Sequence, residues 1–248
     1  MMRINHVLLL IILTILHSSV RCQQKNDGIY YSSLNYAIQL GQFDGVASLK
    51  EVKQHGDFGV GSRHGLAGEL VLLNGKAYQI SVDGKAVIMP DSAKLPFAAV
   101  KFFTADKRIT LNVPYNLEQL QSFLDSVINT NLFSAIRIYG SFSSIKYKCY
   151  YPQQKPYPPI KETPAKFFDS TNIKGTIAGF FTPESAIVLN SPNYHFHFIN
   201  SSGTSGGHVD DCMVENITIE IDYADGLTIK LPPEGLLKDI DLNKAVME

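Results

Sequence analysis

Alternating hydrophobic and polar positions dominate this chain and predict a strand-rich protein. Segment 68–89 has turn signals at Asn74-Gly75 and Asp83-Gly84 between short apolar runs, which is typical of a β-meander. Further strands are predicted from the segments 97–103, 133–150, 174–183, 215–222 and 227–232.

Two segments show helical spacing instead. In segment 32–43 the apolar residues Leu34, Ala37 and Ile38 recur at helical intervals, and segment 116–130 carries a longer stripe of leucine, valine and isoleucine at the same period. Many strands with a few short helices predict the α+β class, with mixed or antiparallel sheets.

A proline-rich segment, 151–164, interrupts the pattern. It holds five of the twelve prolines of the chain and predicts a boundary between two parts. We therefore expect an N-terminal α/β domain over 23–150 and a C-terminal β-rich domain over 151–248.

The first residues have the form of an export signal. Arg3 precedes an unbroken apolar run, 7–16, which is followed by small and then polar residues. A bilayer span needs about 20 apolar residues, so this run is too short to be one. Residues 1–22 are interpreted as a signal peptide, which implies a secreted or periplasmic protein. Lipid attachment at Cys22 is disfavoured because Arg21 stands where a small residue is wanted.

Charge and cysteine content bear on two further classes of protein, those that bind nucleic acid and those built on disulfide bonds. The chain has 248 residues, 22 Lys and Arg against 23 Asp and Glu, and a formal net charge of −1, so no basic field predicts binding to nucleic acid. The two other cysteines, Cys149 and Cys212, do not make a disulfide framework, and isolated buried thiols are favoured over a bridge.

Three of the seven histidines lie close together in the second half of the chain. On a strand, the alternation in YHFHFI places His195, His197 and Ile199 on one face. A turn-rich segment follows, and His208 begins the next strand, so a hairpin would bring the three imidazoles to one point. Three neutral imidazoles can hold zinc or a similar divalent metal and leave a coordination position open for catalysis. Exposed strand histidines that bind nothing are the alternative.

The residues around these histidines, together with segments elsewhere in the chain, resemble those of a known family. YHFHFI followed by SGGHV resembles the signature of the α-acetolactate decarboxylase family. Four further segments resemble blocks of that family in the same order, namely 56–79, 131–142, 153–160 and 175–183. The resemblance runs from about residue 29 to the C-terminus. It implies a homodimeric enzyme that converts (S)-2-acetolactate to (R)-acetoin and carbon dioxide, with one zinc per subunit held by His195, His197 and His208.

The resemblance also assigns roles to residues outside the histidine cluster. Glu69 matches an active-site carboxylate of the family, Arg137 an active-site arginine, and Ser62 a residue that lines the pocket. The family also uses a glutamate of its C-terminal tail, for which Glu248 is the best match and Glu234 stays open.

The chemistry of a β-keto acid is consistent with these residue types. Loss of carbon dioxide leaves an electron pair that the neighbouring ketone accepts, and a divalent metal with neutral ligands would stabilise that charge. Arg137 would orient either the substrate carboxylate or the developing charge, while Glu69 and the tail glutamate would deliver a proton to one face. A cupin-like metal oxygenase is a rival, although it would need a glutamate within residues 199–205, where there is none. A secreted, non-catalytic binding protein on the same scaffold is another.

Overall fold

The computed structural model describes residues 27–244, which form fifteen β-strands and four α-helices. The predicted signal peptide, Cys22 and Glu248 lie outside the described residues. The strands are β1 Ile29–Ser32, β2 Ala47–Ser48, β3 Phe58–Ser62, β4 Glu69–Leu73, β5 Lys76–Ile80, β6 Ala86–Ile88, β7 Lys94–Leu95, β8 Phe97–Lys101, β9 Lys107–Leu111, β10 Tyr115–Asn116, β11 Ser134–Tyr150, β12 Ala165–Thr182, β13 Asn193–Asn200, β14 Gly206–Tyr223 and β15 Leu227–Lys230. The helices are α1 Asn35–Gln39, α2 Leu49–Val52, α3 Leu117–Val127 and α4 Glu234–Leu237.

The first sheet has the strand order β15-β1-β8-β3-β4-β5-β6. Its predicted meander, β4 to β6, is confirmed, and the β4–β5 turn has positive φ at both Asn74 and Gly75, as a tight hairpin of this type requires. All its pairings are antiparallel except that of β1 with β15. The sheet therefore includes a strand from each end of the described chain.

The second sheet is built from the long strands β11, β12 and β14, with β13, β10 and β9 beside them. Strand β13 pairs with β12 on one side and with β14 on the other, where His197 is opposite His208. Because β13 joins these two strands, the sheet is curled and partly closed. Strand β12 begins at Ala165, nine residues before the predicted start, because its first half continues a hairpin with β11.

The proline-rich segment lies in the connection between β11 and β12, which pair along their whole length. Each sheet also takes strands from both parts of the chain, since β9 to β11 join the second sheet and β15 joins the first. A division into folding domains at residue 150 stays a prediction.

Helix α3 packs on one face of the second sheet, where it shares a buried cluster with Ile136 and Ile138 of β11. Its fully buried residues Leu120 and Leu124 belong to the predicted stripe, and each contributes about 1.5–3 kcal/mol by leaving water. The helix begins with a capping box between Asn116 and Gln119 and ends at Val127, three residues before its predicted end. The earlier helix, α1, is shorter than predicted and stops before Gly41, which has a positive φ.

The opposite side of the second sheet packs against the first sheet. Phe58, Val60 and Val71 of the first sheet share one buried cluster with Ala178 and Phe180 of the second. The α+β, strand-rich architecture is thus confirmed, and the histidine strands lie at the interface between the sheets. Among the described residues, no helix has the length and apolar character to cross a membrane. Cys149 and Cys212 are both buried free thiols.

Candidate metal centre

Strands β13 and β14 bring the three predicted histidines together. The ring centroids of His195, His197 and His208 form a nearly equilateral triangle with sides of 5.0, 5.2 and 5.1 Å. One nitrogen of each ring lies within 4.8 Å of those of the others. The local cause is sequence alternation: His195 and His197 share a strand face, and His208 is the direct cross-strand neighbour of His197.

Hydrogen bonds determine which ring nitrogen of His197 faces its neighbours. Its Nδ1 lies 2.9 Å from the carbonyl oxygen of Leu70, which can only accept, so Nδ1 carries the proton and Nε2 is free. Nε2 in turn lies 3.2 Å from Nδ1 of His208. Two nitrogens bound to one tetrahedral zinc at 2.0–2.1 Å would be about 3.3 Å apart. The donor set and its spacing therefore fit a divalent transition metal such as zinc.

Burial keeps these imidazoles neutral, as metal ligands must be. It lowers the pKa of His197 to about 4, although the hydrogen bond to Leu70 partly opposes this. Burial, and then the neighbouring imidazoles, also hold the pKa of His195 and His208 well below the usual value. At neutral pH each ring can offer a lone pair.

The first sheet supplies the opposite wall. Ser62 of β3 is the direct neighbour of both Glu69 on β4 and Phe97 on β8, so the three residues form one row across the strand ends. Oε2 of Glu69 lies 3.7 Å from Nε2 of His197. Burial raises the pKa of Glu69 to about 8, while the charge of Lys148 opposes the rise. In the metal-free protein the close pair is consequently a neutral acid beside a neutral imidazole.

A cavity of about 280 Å³ lies between the two sheets at this point. Helix α1 and the turn at Ile160–Glu162 wall its outer side, so the proline-rich segment takes part in the site. The lining residues are Asn35, Ile38, Gln39, Gly61, Ser62, Leu66, Glu69, Phe97, Tyr150, Ile160, Lys161, Ser191, His195, His197 and His208. The cavity thus combines the three histidines with two of the other predicted residues, Ser62 and Glu69.

Arg137 is not among the cavity-lining residues. It lies in the same cross-strand row as His197, two strands away, which separates the backbones by about 10 Å. Its Nε donates to Oε2 of the buried Glu220 at 2.6 Å, and its guanidinium group lies 4.7 Å from the ring centre of Phe103. Its predicted contact with substrate stays a prediction.

Lys148 is a further residue near the site, and it is not among those predicted from the sequence. This residue is the cross-strand neighbour of His208 on β11, and its charge acts on both Glu69 and His208. Its ammonium group also lies 3.6 Å from Asp210. The signal available was strand alternation, which places Lys148 on the same face as Tyr150, a lining residue. Of the two tail candidates, Glu234 is exposed at the start of α4 and does not line the cavity.

Comparison with known proteins decides the family. A family model described as alpha-acetolactate decarboxylase matches residues 29–244. The chain belongs to the alpha-acetolactate decarboxylase family. The matched range contains every element that builds the cavity, including the strands that carry the three histidines and Glu69.

Relatives from this family are similar over most of their length. The alpha-acetolactate decarboxylase of Brevibacillus brevis is 38% identical over 84% of this chain and 74% of its own. That of Methanosarcina mazei is 36% identical over 90% of this chain and 78% of its own. The crystal structure of alpha-acetolactate decarboxylase from Bacillus subtilis strain 168 superposes with a TM-score of 0.85 at 33% identity, covering 87% of this chain and 94% of that one. The expected resemblance is confirmed.

Proposed function

We propose that this chain is a zinc-dependent carboxy-lyase that converts (S)-2-acetolactate to (R)-acetoin and carbon dioxide. The single observation that supports this best is the cavity between the two sheets, in which three buried imidazoles face the buried carboxyl group of Glu69. Membership of the alpha-acetolactate decarboxylase family supports the substrate. A volume of about 280 Å³ is ample for a molecule of the size of acetolactate.

His195, His197 and His208 would hold the metal. When bound, the metal supplies a Lewis acid next to the ketone oxygen of the substrate. The neutral character of the three ligands leaves the full positive charge of the ion available. The backbone carbonyl of Leu70 fixes the ring of His197, so that this ligand is oriented before substrate arrives.

Glu69 would handle the proton. Decarboxylation leaves an electron pair on carbon, which must be protonated to give the product. Glu69 Oε2 lies 3.7 Å from Nε2 of His197, within reach of a substrate held at the metal, and a carboxyl group in that position can pass a proton to the substrate carbon. It projects from one sheet while the histidines project from the other, so the proton reaches a single face of the substrate. That asymmetry would give one enantiomer of acetoin.

A cation is needed for the substrate carboxylate. Lys148 acts electrostatically on Glu69 and His208, which line the cavity, and this supports it for the role. Like Arg137, it does not itself line the cavity and has a carboxylate partner, Asp210 at 3.6 Å. Arg137 remains the residue assigned by resemblance, although it already pairs with Glu220. Glu248 remains the tail glutamate assigned in the same way.

Metal analysis and an acetoin assay test the proposal. The purified protein should contain about one zinc per chain and form acetoin from racemic acetolactate, with the (R) product identified by chiral chromatography. His197→Ala should lose both zinc and activity. His64→Ala is the matched control, because His64 is exposed, does not line the cavity, and contacts the backbone N–H of Gly45 and the carboxylate of Asp44 instead. Full activity in the metal-stripped enzyme would refute the mechanism.

Export and self-association complete the proposal. Segment 1–22 supports secretion or a periplasmic location, and resemblance to the family supports a homodimer. N-terminal sequencing of the exported protein and light scattering on the purified chain test these two points separately.

A further inference from the structure

A buried asparagine lies behind the candidate metal centre. Asn190 is fully buried in the connection between β12 and β13, and it does not line the cavity. Its Oδ1 accepts from the backbone N–H of Ser191 at 3.0 Å and lies 2.7 Å from Nδ1 of His195. One side-chain oxygen thus contacts both the local backbone and a candidate ligand.

These two contacts determine the tautomer of His195. The N–H of Ser191 can only donate, so the Asn190 atom that it contacts is the carbonyl oxygen and not the amide nitrogen. A carbonyl oxygen can only accept, so Nδ1 of His195 must carry a proton. Its Nε2 is then left with a free lone pair.

The other end of the Asn190 amide is also enclosed. Its Nδ2 is fully buried and has no acceptor at full hydrogen-bond geometry among the described residues, and the same is true of the hydroxyl groups of Tyr31 and Thr182. Those two hydroxyl groups and Asn190 lie close enough to interact, because the side chains of Thr182 and Asn190 both act on Tyr31. A buried amide nitrogen needs an acceptor, and the Asn190 side chain already acts on Tyr31, whose hydroxyl oxygen can accept. Tyr31 belongs to β1, so the first sheet supports Asn190 from behind.

We propose that Asn190 is a positioning residue of the metal centre, which holds His195 in the tautomer that presents Nε2 to the ion and is itself supported by Tyr31. This inference rests on the metal centre proposed above, and it concerns a residue outside the cavity. The physical reason is general: a ligand imidazole whose other nitrogen donates to a fixed oxygen is oriented and made more basic.

The tautomer can be measured without metal or substrate. Burial holds the pKa of His195 well below its usual value, so its ring is neutral near pH 7 and the nitrogen-15 shifts of the metal-free protein report the protonated nitrogen. We expect the wild-type ring to carry its proton on Nδ1. Asn190→Leu, which keeps the volume and removes the acceptor, should give a mixture of tautomers. Asn190→Asp, which keeps an acceptor oxygen, should restore the wild-type pattern.

Metal affinity gives the second measurement. In a chelator competition with zinc, Asn190→Leu should weaken binding roughly 10- to 100-fold, and Asn190→Asp should recover most of the loss. Gln42→Leu is the matched control, because Gln42 is another buried amide whose side chain has no partner among the described residues, and it should leave both readouts unchanged.

Two results would overturn the inference. One is a wild-type His195 that carries its proton on Nε2, which needs no variant and so decides the matter even if Asn190→Leu fails to fold. The other is wild-type zinc affinity in Asn190→Leu. A protein that shows the expected tautomer and affinities but forms no acetoin would instead refute the proposed function and leave the role of Asn190 intact.

Discussion

Replacing Glu69 by glutamine should stabilise the metal-free protein and should remove the activity of the zinc-loaded enzyme. The carboxyl group is buried, and its pKa rises from 4.5 in the unfolded chain to about 8 in the folded one. Below pH 4.5 both states are protonated and folding is unaffected. Above it the unfolded chain releases the proton while the folded chain retains it, so unfolding becomes progressively easier until about pH 8.

The size of the effect follows from these two pKa values. At pH 7 the pH lies about 2.5 units above the pKa of Glu69 in the unfolded chain. At about 1.4 kcal/mol per unit, the stability of the folded state relative to the unfolded state falls by about 3 kcal/mol. Glutamine has nearly the same shape and no such penalty. Glu69→Gln should therefore raise the free energy of unfolding by about 3 kcal/mol at pH 7 and leave it unchanged near pH 4.5.

Denaturant titrations of the chelated wild type and Glu69→Gln, at several pH values between about 4.5 and 8, measure this difference. Glu215→Gln serves as the control, because Glu215 is an exposed glutamate on β14 and should show no pH-dependent gap. A gap that stays constant with pH, or a wild type that is the more stable protein at pH 7, would refute the reasoning. Zinc content should be retained in Glu69→Gln while turnover falls roughly 100-fold or more.

Three other predictions concern residues around the site. Lys148→Met should raise KM for acetolactate roughly tenfold or more, because a charged contact with the substrate is lost. Arg137→Met should lower the free energy of unfolding by only about 2 kcal/mol, because Arg108 still pairs with the buried Glu220. Steady-state kinetics and denaturation measure the two effects, and the reverse pattern would indicate that Arg137 binds the substrate. Gly179→Ala should lose zinc and about 3 kcal/mol of stability, because its Cβ would lie 2.0 Å from the His195 carbonyl oxygen. Gly226→Ala is the control: a Cβ there has open space around it, so zinc content and the free energy of unfolding should stay unchanged. The two described cysteines should not react with a thiol reagent until the protein unfolds, since burial raises the pKa of both thiols; rapid native labelling would contradict this.

The histidine cluster could be predicted because its determinants are local. Alternation within one eight-residue strand places His195 and His197 on the same face, and the reversal before His208 is short. The meander and the stripe of α3 follow from equally local patterns. Ser62 and Glu69 could also be assigned from their local sequence context. Their position opposite the histidines could not be predicted, because it depends on how the two sheets pack.

The face of a residue on a long, irregular strand could not be predicted. The register between β11 and β14 shifts at three points, and each shift breaks the simple period of two that would relate Arg137 to Lys148. The first half of β12 was missed because residues 165–173 are largely exposed and carry no regular apolar pattern. The roles of Asn190 and Tyr31 depend on contacts between distant segments, which a single sequence does not reveal.

The pairing of β1 with β15 has a consequence for how the protein is made. One strand is near the start of the described chain and the other near its end, yet they run side by side in parallel. During synthesis the edge of the first sheet at β1 therefore stays unpaired until β15 has left the ribosome. Chaperone protection of that edge should matter most for the nascent chain, and ribosomes stalled before residue 227 should carry an unfinished sheet.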